Sequence, residues 1–162
     1  MIVWNIFVNS IKLPNKQAMF KLNRVGLDHA VFYNFLLLFI VSLPSLIKRL
    51  TDTNAIGADM NVIFTLIYFF MFYYLPITII VFVILSGIAY IGKIIARLTK
   101  RKLHYSLLWK ISSFTTTIPF LLYTILALVF PVNDIYLLFS FIYSIALIIK
   151  MIHHYPIRRK NR

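Results

Sequence analysis

Five hydroxyls lie within six residues of one apolar stretch: Ser112, Ser113, Thr115, Thr116 and Thr117, just ahead of Pro119. Ser112 with Thr116, and Ser113 with Thr117, are small residues four apart, the spacing that lets membrane helices approach closely. Pro119 has no N–H to offer the carbonyl of Thr115, and neighbouring hydroxyls can satisfy backbone groups freed in this way. Two readings follow. One is a polar pocket for a solute, with Tyr73 as a further wall residue. The other is a packing seam whose hydroxyls bond back to their own helix.

The second group with chemistry is cationic. Lys93, Arg97, Lys100, Arg101 and Lys102 crowd into residues 93–102, the first four at i, i+4, i+7 and i+8, which would share one helical face. A patch of this size suits anionic lipid headgroups, at roughly 1 kcal/mol per basic residue near the surface. It can equally serve as a topology signal.

The remaining candidates are weaker. His153 and His154 are adjacent, so on a helix they point about 100° apart and rarely share a metal ion. His104 sits beside the basic cluster and reads as solvated. Asp28 and His29 read as a local polar contact, because no Ser or Cys completes a catalytic set. No ionisable side chain occupies the middle of an apolar run, where proton relays and ion-coupled transporters keep them. There is no Cys, no HExxH, no P-loop and no nucleophile elbow. The expectation is a protein that is not an enzyme and uses no cofactor or metal.

What must position these groups is a membrane bundle. Of the 162 residues, 61% are hydrophobic and 13% charged, with a mean hydropathy of +0.87, whereas a soluble domain carries about 25% charged residues. The net charge of +13 is not spread evenly. Fifteen of the 17 Lys and Arg residues fall in residues 1–29, 93–110 and 150–162, and three of the four acids, Asp52, Asp59 and Asp134, lie in the two other connections. This is the positive-inside pattern of four spans with both termini in the cytoplasm. The rule accounts for the charge, so nucleic acid is not an expected partner.

The spans are expected at residues 31–47, 62–91, 111–130 and 135–152. Residues 62–91 are thirty uncharged positions, about 45 Å of helix against a core of about 30 Å. Splitting them at Pro76 would put the basic patch outside, so one tilted or kinked helix is expected, running on toward residue 101. Asp59 and Asp134 are candidate N-caps, and Pro131 and Asn133 mark a tight turn. Pro44, Pro76 and Pro119 free the carbonyls of Ile40, Phe72 and Thr115, for which Asn34, Tyr73 and Tyr74 are candidate partners. Residues 69–74 read as lipid-facing and packing bulk. Residues 103–110 read as interfacial, with Tyr105 and Trp109 as belt residues. Residues 1–13 place Asn5, Asn9 and Lys12 on one stripe. They read as an amphipathic helix lying in the interface, Trp4 at headgroup level, ended by Pro14. A helix packed on the bundle is the other reading.

Two segments carry a resemblance. IFVNSIKLPNKQAMFKLNRVGLDHAVFYNFLLLFIVSLPSLI resembles the start of a family of bacterial multi-span proteins of unknown function, sometimes labelled maltodextrin-utilization proteins. KRKLHYSLLWKISSFTTTIPFLLYTILAL resembles that family's later block, through Leu103, Tyr105, Leu108, Trp109 and Ile118–Pro119. The family's usual extracytoplasmic insert after the first span is reduced here to about a dozen residues. More distantly the arrangement is similar to Yip-type membrane proteins, which act through partners. The resemblance implies no catalytic residues.

The expectation is therefore an all-α, four-span protein of the cytoplasmic membrane, one domain over residues 1–162. Residues 1–29, the 93–110 loop and the 153–162 tail are expected to be cytoplasmic. The leading role is a non-enzymatic accessory or scaffold protein, acting through anionic headgroups and helix–helix contacts with another membrane protein or itself. The alternative is a small permease or transporter subunit with its polar pocket near the cytoplasmic half of span three.

Overall fold

A computed structural model describes residues 2–51, 61–130, 132–133 and 135–156. Eight α-helices occur among them: α1 (Ile2–Ile11), α2 (Lys16–Asn23), α3 (Leu27–Thr51), α4 (Val62–Phe69), α5 (Leu75–Leu98), α6 (Tyr105–Thr115), α7 (Thr117–Val129) and α8 (Ile135–His154). A π-helical turn, Phe70–Tyr74, joins α4 to α5. Four helical runs are long and apolar enough to cross a membrane: Leu27–Thr51, Val62–Leu98, Tyr105–Val129 and Ile135–His154.

These runs exceed the expected spans. The second is 37 residues, about 55 Å, so a turn or more projects beyond a hydrocarbon core of about 30 Å. It stays one helix past Pro76 because the π turn lies just before the proline. There Leu75 N–H reaches back five residues to Phe70 O, widening the helix where the proline ring would otherwise crowd the carbonyl of Phe72. The N-cap of this run is Asn61, whose side chain accepts from Ile63 N–H. The expected caps Asp59 and Asp134, Pro131 and the basic residues 158–162 lie outside the described residues.

Tertiary contacts gather the basic segments at one end of the bundle. Lys110 Nζ donates to Asn23 O at 3.0 Å and Val25 O at 2.6 Å. Phe20 and Tyr155 meet edge to face at 6.3 Å. Gly92 lies against Ile148 and Leu108. Residues 16–24, 93–102 and 150–155 therefore share what is called below the basic end. Thr51, Asn61, Val129 and Ile135, at the ends of the long runs, mark the far end.

The main hydrophobic core sits in the basic half, where Ala30, Leu37, Ile88, Phe114, Ile148 and Met151 pack together. α1 joins this half. Ile6 and Ser10 are each 1% exposed, and α1 packs on α2, α3, α6 and α7. Val3, Trp4 and Phe7 share a notch with Tyr33, Leu36, Phe39 and Ile40 of α3. A helix thus forms over Ile2–Ile11 and packs along the bundle, with Trp4 beside the middle of α3. The Leu13–Pro14 turn folds α2 back beneath it, and Ile6, Leu13, Met19 and Leu22 join the core.

Candidate functional site

Span three breaks where its hydroxyls are densest. α6 ends at Thr115, Thr116 adopts φ −75° and ψ −10°, and α7 resumes at Thr117. Pro119 explains the break, since it cannot bond the Thr115 carbonyl and its ring crowds it. Phe120 N–H then closes the next turn on Thr116 O at 3.0 Å.

All five hydroxyl residues are buried. Three turn back on their own helix: Ser112 Oγ donates to Leu108 O (2.9 Å), Thr115 Oγ1 to Ser112 O (2.8 Å) and Thr116 Oγ1 to Ser113 O (2.8 Å). Two cross to α3. Asn34 Nδ2 donates to Ser113 Oγ and, at 3.1 Å, to Ala30 O. Tyr33 and Thr117 share a hydroxyl hydrogen bond of 2.8 Å. Ser10 of α1 is buried beside the Tyr33 phenol. The result is a polar lock joining α3 to α6 and α7, while the Ser10 hydroxyl of α1 has no hydrogen-bond partner among the described residues. Asn34 is fully buried, and its Oδ1 has no partner among the described residues.

Tyr33 and Asn34 are the partners that sequence reasoning did not pair with the seam. A depth count would have found them. Spans one and three both start at the basic end, Asn34 lies seven residues past Leu27, and Ser113 lies eight past Tyr105. The same count separates Tyr73, which does not join the seam. Its hydroxyl bonds Ser45 Oγ at 2.8 Å toward the far end.

The expected partners of the proline-freed carbonyls also bond elsewhere. Tyr74 OH donates to Phe35 O at 2.9 Å, and Asn34 serves Ala30 and Ser113. Within residues 69–74 the expected bulk is found: Phe69 is buried, and Phe70, Met71 and Phe72 are exposed.

The basic patch departs from a single helical face. α5 stops at Leu98, so only Lys93 and Arg97 are helical. Lys100 takes φ 54°, its N–H bonds Arg97 O at 3.1 Å, and Arg101 N–H bonds Ala96 O at 2.8 Å. This is a Schellman ending with lysine at the left-handed position that glycine usually fills. Lys93, Arg97, Lys100 and Lys102 are exposed. Arg101 is half-buried and its Nε has no partner among the described residues. Lys110 does not join the patch, because its ammonium caps the carbonyls at the end of α2.

The histidines behave as local groups. His153 and His154 bond the carbonyls of Ile149 and Lys150, each at 2.9 Å, so the two rings face different carbonyls. Asp28 and His29 form a 2.9 Å contact. Among the described residues no group of three or more His, Cys, Asp or Glu side chains could hold a metal ion. Tyr155 is buried against Phe20, and burial pushes its hydroxyl pKa up.

The far half holds a partly open cavity of about 220 Å³ between the spans. Tyr73 lines it, together with Leu38 and Ser42 of α3, Ile84 of α5, Phe120 of α7 and Tyr136 of α8. The polar lock and the cavity are therefore separate features at different depths. No family model, no curated protein and no solved structure matches the chain.

Proposed function

We propose that the chain is a multi-pass protein of the cytoplasmic membrane, both termini in the cytoplasm. It works as a non-enzymatic accessory or scaffold protein. Its basic end rests on anionic headgroups, and its apolar flanks offer helix–helix contacts to another membrane protein or to a second copy.

The observation that supports this reading is the closed basic half above exposed cations. Ser113 and Thr117 are spent on Asn34 and Tyr33, and Ser112, Thr115 and Thr116 on their own backbone. A permease using these hydroxyls would need them free for solute. Directly below, Lys93, Arg97, Lys100 and Lys102 face outward. Lys100 occupies a backbone conformation unfavourable to a side chain.

The test is lipid retention in mild detergent, with co-purifying proteins identified by mass spectrometry. The protein should retain anionic over zwitterionic lipid, and salt should weaken the preference because the attraction is screened over about 8–10 Å. Neutralising Lys100, Arg101 and Lys102 together should reduce it, by up to about 1 kcal/mol per charge. An unchanged preference in the triple variant would leave the patch as a topology signal only.

A further inference from the structure

The far-half cavity takes its wall from all four spans. Among its described lining residues there is no charged side chain. Its hydroxyls are largely engaged. Ser42 Oγ donates to Phe39 O at 2.8 Å, Tyr73 OH pairs with Ser45 Oγ at 2.8 Å, and Tyr136 OH donates to Pro119 O at 2.6 Å. A polar solute would leave water for a wall with few free partners, which is unfavourable. A hydrocarbon occupant gives up nothing on entering.

Leaving the space empty is also unfavourable, because the lining side chains lose dispersion contacts on their open side. Apolar cavities of about 150 Å³ stay dry and take up benzene or xenon. This one is larger, at about 220 Å³, and has room for a short run of methylenes. It is also accessible from the side. α8 packs closely on α5, α6 and α7, and among the described residues no comparable packing joins it to α4 or the π turn. Ile80 and Ile84 of α5 and Leu137 of α8 line the cavity and are also exposed, so it opens outward between span two and span four. Asn133 lies in the wall at the far end, where a lipid's ester groups would sit.

We propose that this cavity binds one hydrocarbon chain of a membrane phospholipid, drawn in laterally from the far leaflet. The site is separate from the basic patch and holds whether or not that patch prefers anionic headgroups.

The experiment places the protein in phosphatidylcholine nanodiscs in which one acyl chain carries a mid-chain diazirine. After irradiation, adducts are mapped by mass spectrometry. The expected result is labelling of Leu38, Ile77 and Phe120, which line the cavity and are buried or half-buried, at yields at least equal to those on outward-facing Val83 and Ile125. Adducts confined to outward-facing residues would overturn the proposal. A free fatty acid bearing the same diazirine separates the sources. Cavity adducts from the phospholipid that survive a tenfold excess of unlabelled fatty acid support a bilayer lipid. Cavity adducts from the free acid alone would overturn that source. Ser140→Phe, which fills the cavity from α8, should lower cavity adducts at least fivefold and leave those on Val83 unchanged, and Val81→Phe repeats the test from α5. Unchanged cavity adducts in a folded filled variant count against the site, and the wild-type map decides if neither variant folds.

Discussion

In the basic half, Gly92 lets α5 approach α6 and α8 so closely that a Cβ there would sit 3.2 Å from Ile148 Cγ2 and 3.5 Å from Leu108 Cδ2. In the far half, the same helix, together with the π turn that precedes it, borders a cavity of about 220 Å³. The difference lies in which side chains meet. Small residues, Ala89, Gly92, Ala96 and Ser112, line the packed half, and hydroxyl and amide bonds tie α3 to span three across it. In the far half Tyr73, Phe120, Tyr123 and Tyr136 hold the helices apart. Between helices in lipid there is no hydrophobic driving force, so close approach depends on small residues and hydrogen bonds. Where bulky rings take their place, space remains.

The largest expected effect concerns orientation. A reporter fused after residue 162 should read as cytoplasmic, and one inserted within residues 52–58 as external. An external signal from residues 100–104 would mean the run from Val62 to Leu98 crosses twice, and the two halves would no longer belong to one four-span bundle.

The next effect is packing. Gly92→Leu should destabilise the bundle by about 3 kcal/mol through overpacking. Gly87→Leu, five residues earlier in α5 with nothing within 4 Å of its added Cβ, should change stability by no more than about 0.5 kcal/mol. Unfolding in detergent–denaturant mixtures compares them, and similar losses would erase the contrast between a packed and an open face.

The polar lock gives a smaller step. Ser113→Leu should cost about 1–3 kcal/mol by overpacking and by stripping Asn34 Nδ2 of a partner. Thr116→Ala removes only a bond to its own helix and should cost well under about 1 kcal/mol. Equal losses would mean that the cross-helix bonds do not distinguish this half.

Lys100→Gly should act in the opposite direction. Relief of the left-handed backbone should stabilise the protein by about 1 kcal/mol while one headgroup contact is lost. A higher melting temperature with weaker anionic-lipid retention is the expected pair of results. A lower melting temperature would mean the Lys100 side chain has structural work at the basic end.

Much of the fold was legible because membrane helices announce themselves by length and apolarity. The four spans came from uncharged runs, and the shared basic end from the positions of Lys and Arg. Pro119 read as one lost ladder bond within a single span, whereas the helix breaks at Thr116. What stayed hidden depends on partners distant in sequence. Residues 103–110, Lys110 among them, read as an interfacial segment ahead of span three. The Lys110 ammonium in fact reaches Asn23 and Val25, and the helix begins at Tyr105. Tyr73 was grouped with Ser113 by residue type, although the two lie at different depths. α1 was read from its own stripe, and nothing local shows that Ile6 and Ser10 meet α3 and span three. The cavity leaves no sequence signal, because its wall is shared among four spans.

The most direct test uses two serines one turn apart on α8. Ser140 lines the cavity, and Ser144, whose Oγ donates to Ser140 O at 2.9 Å, is 1% exposed. The chain has no cysteine, so Ser140→Cys and Ser144→Cys each introduce one reactive thiol. The measurement is their modification rate by a small apolar maleimide in nanodiscs. An open far half above a packed basic half requires Cys at 140 to react at least tenfold faster. Equal rates, or faster reaction at 144, would contradict the division of the bundle into an open and a closed half.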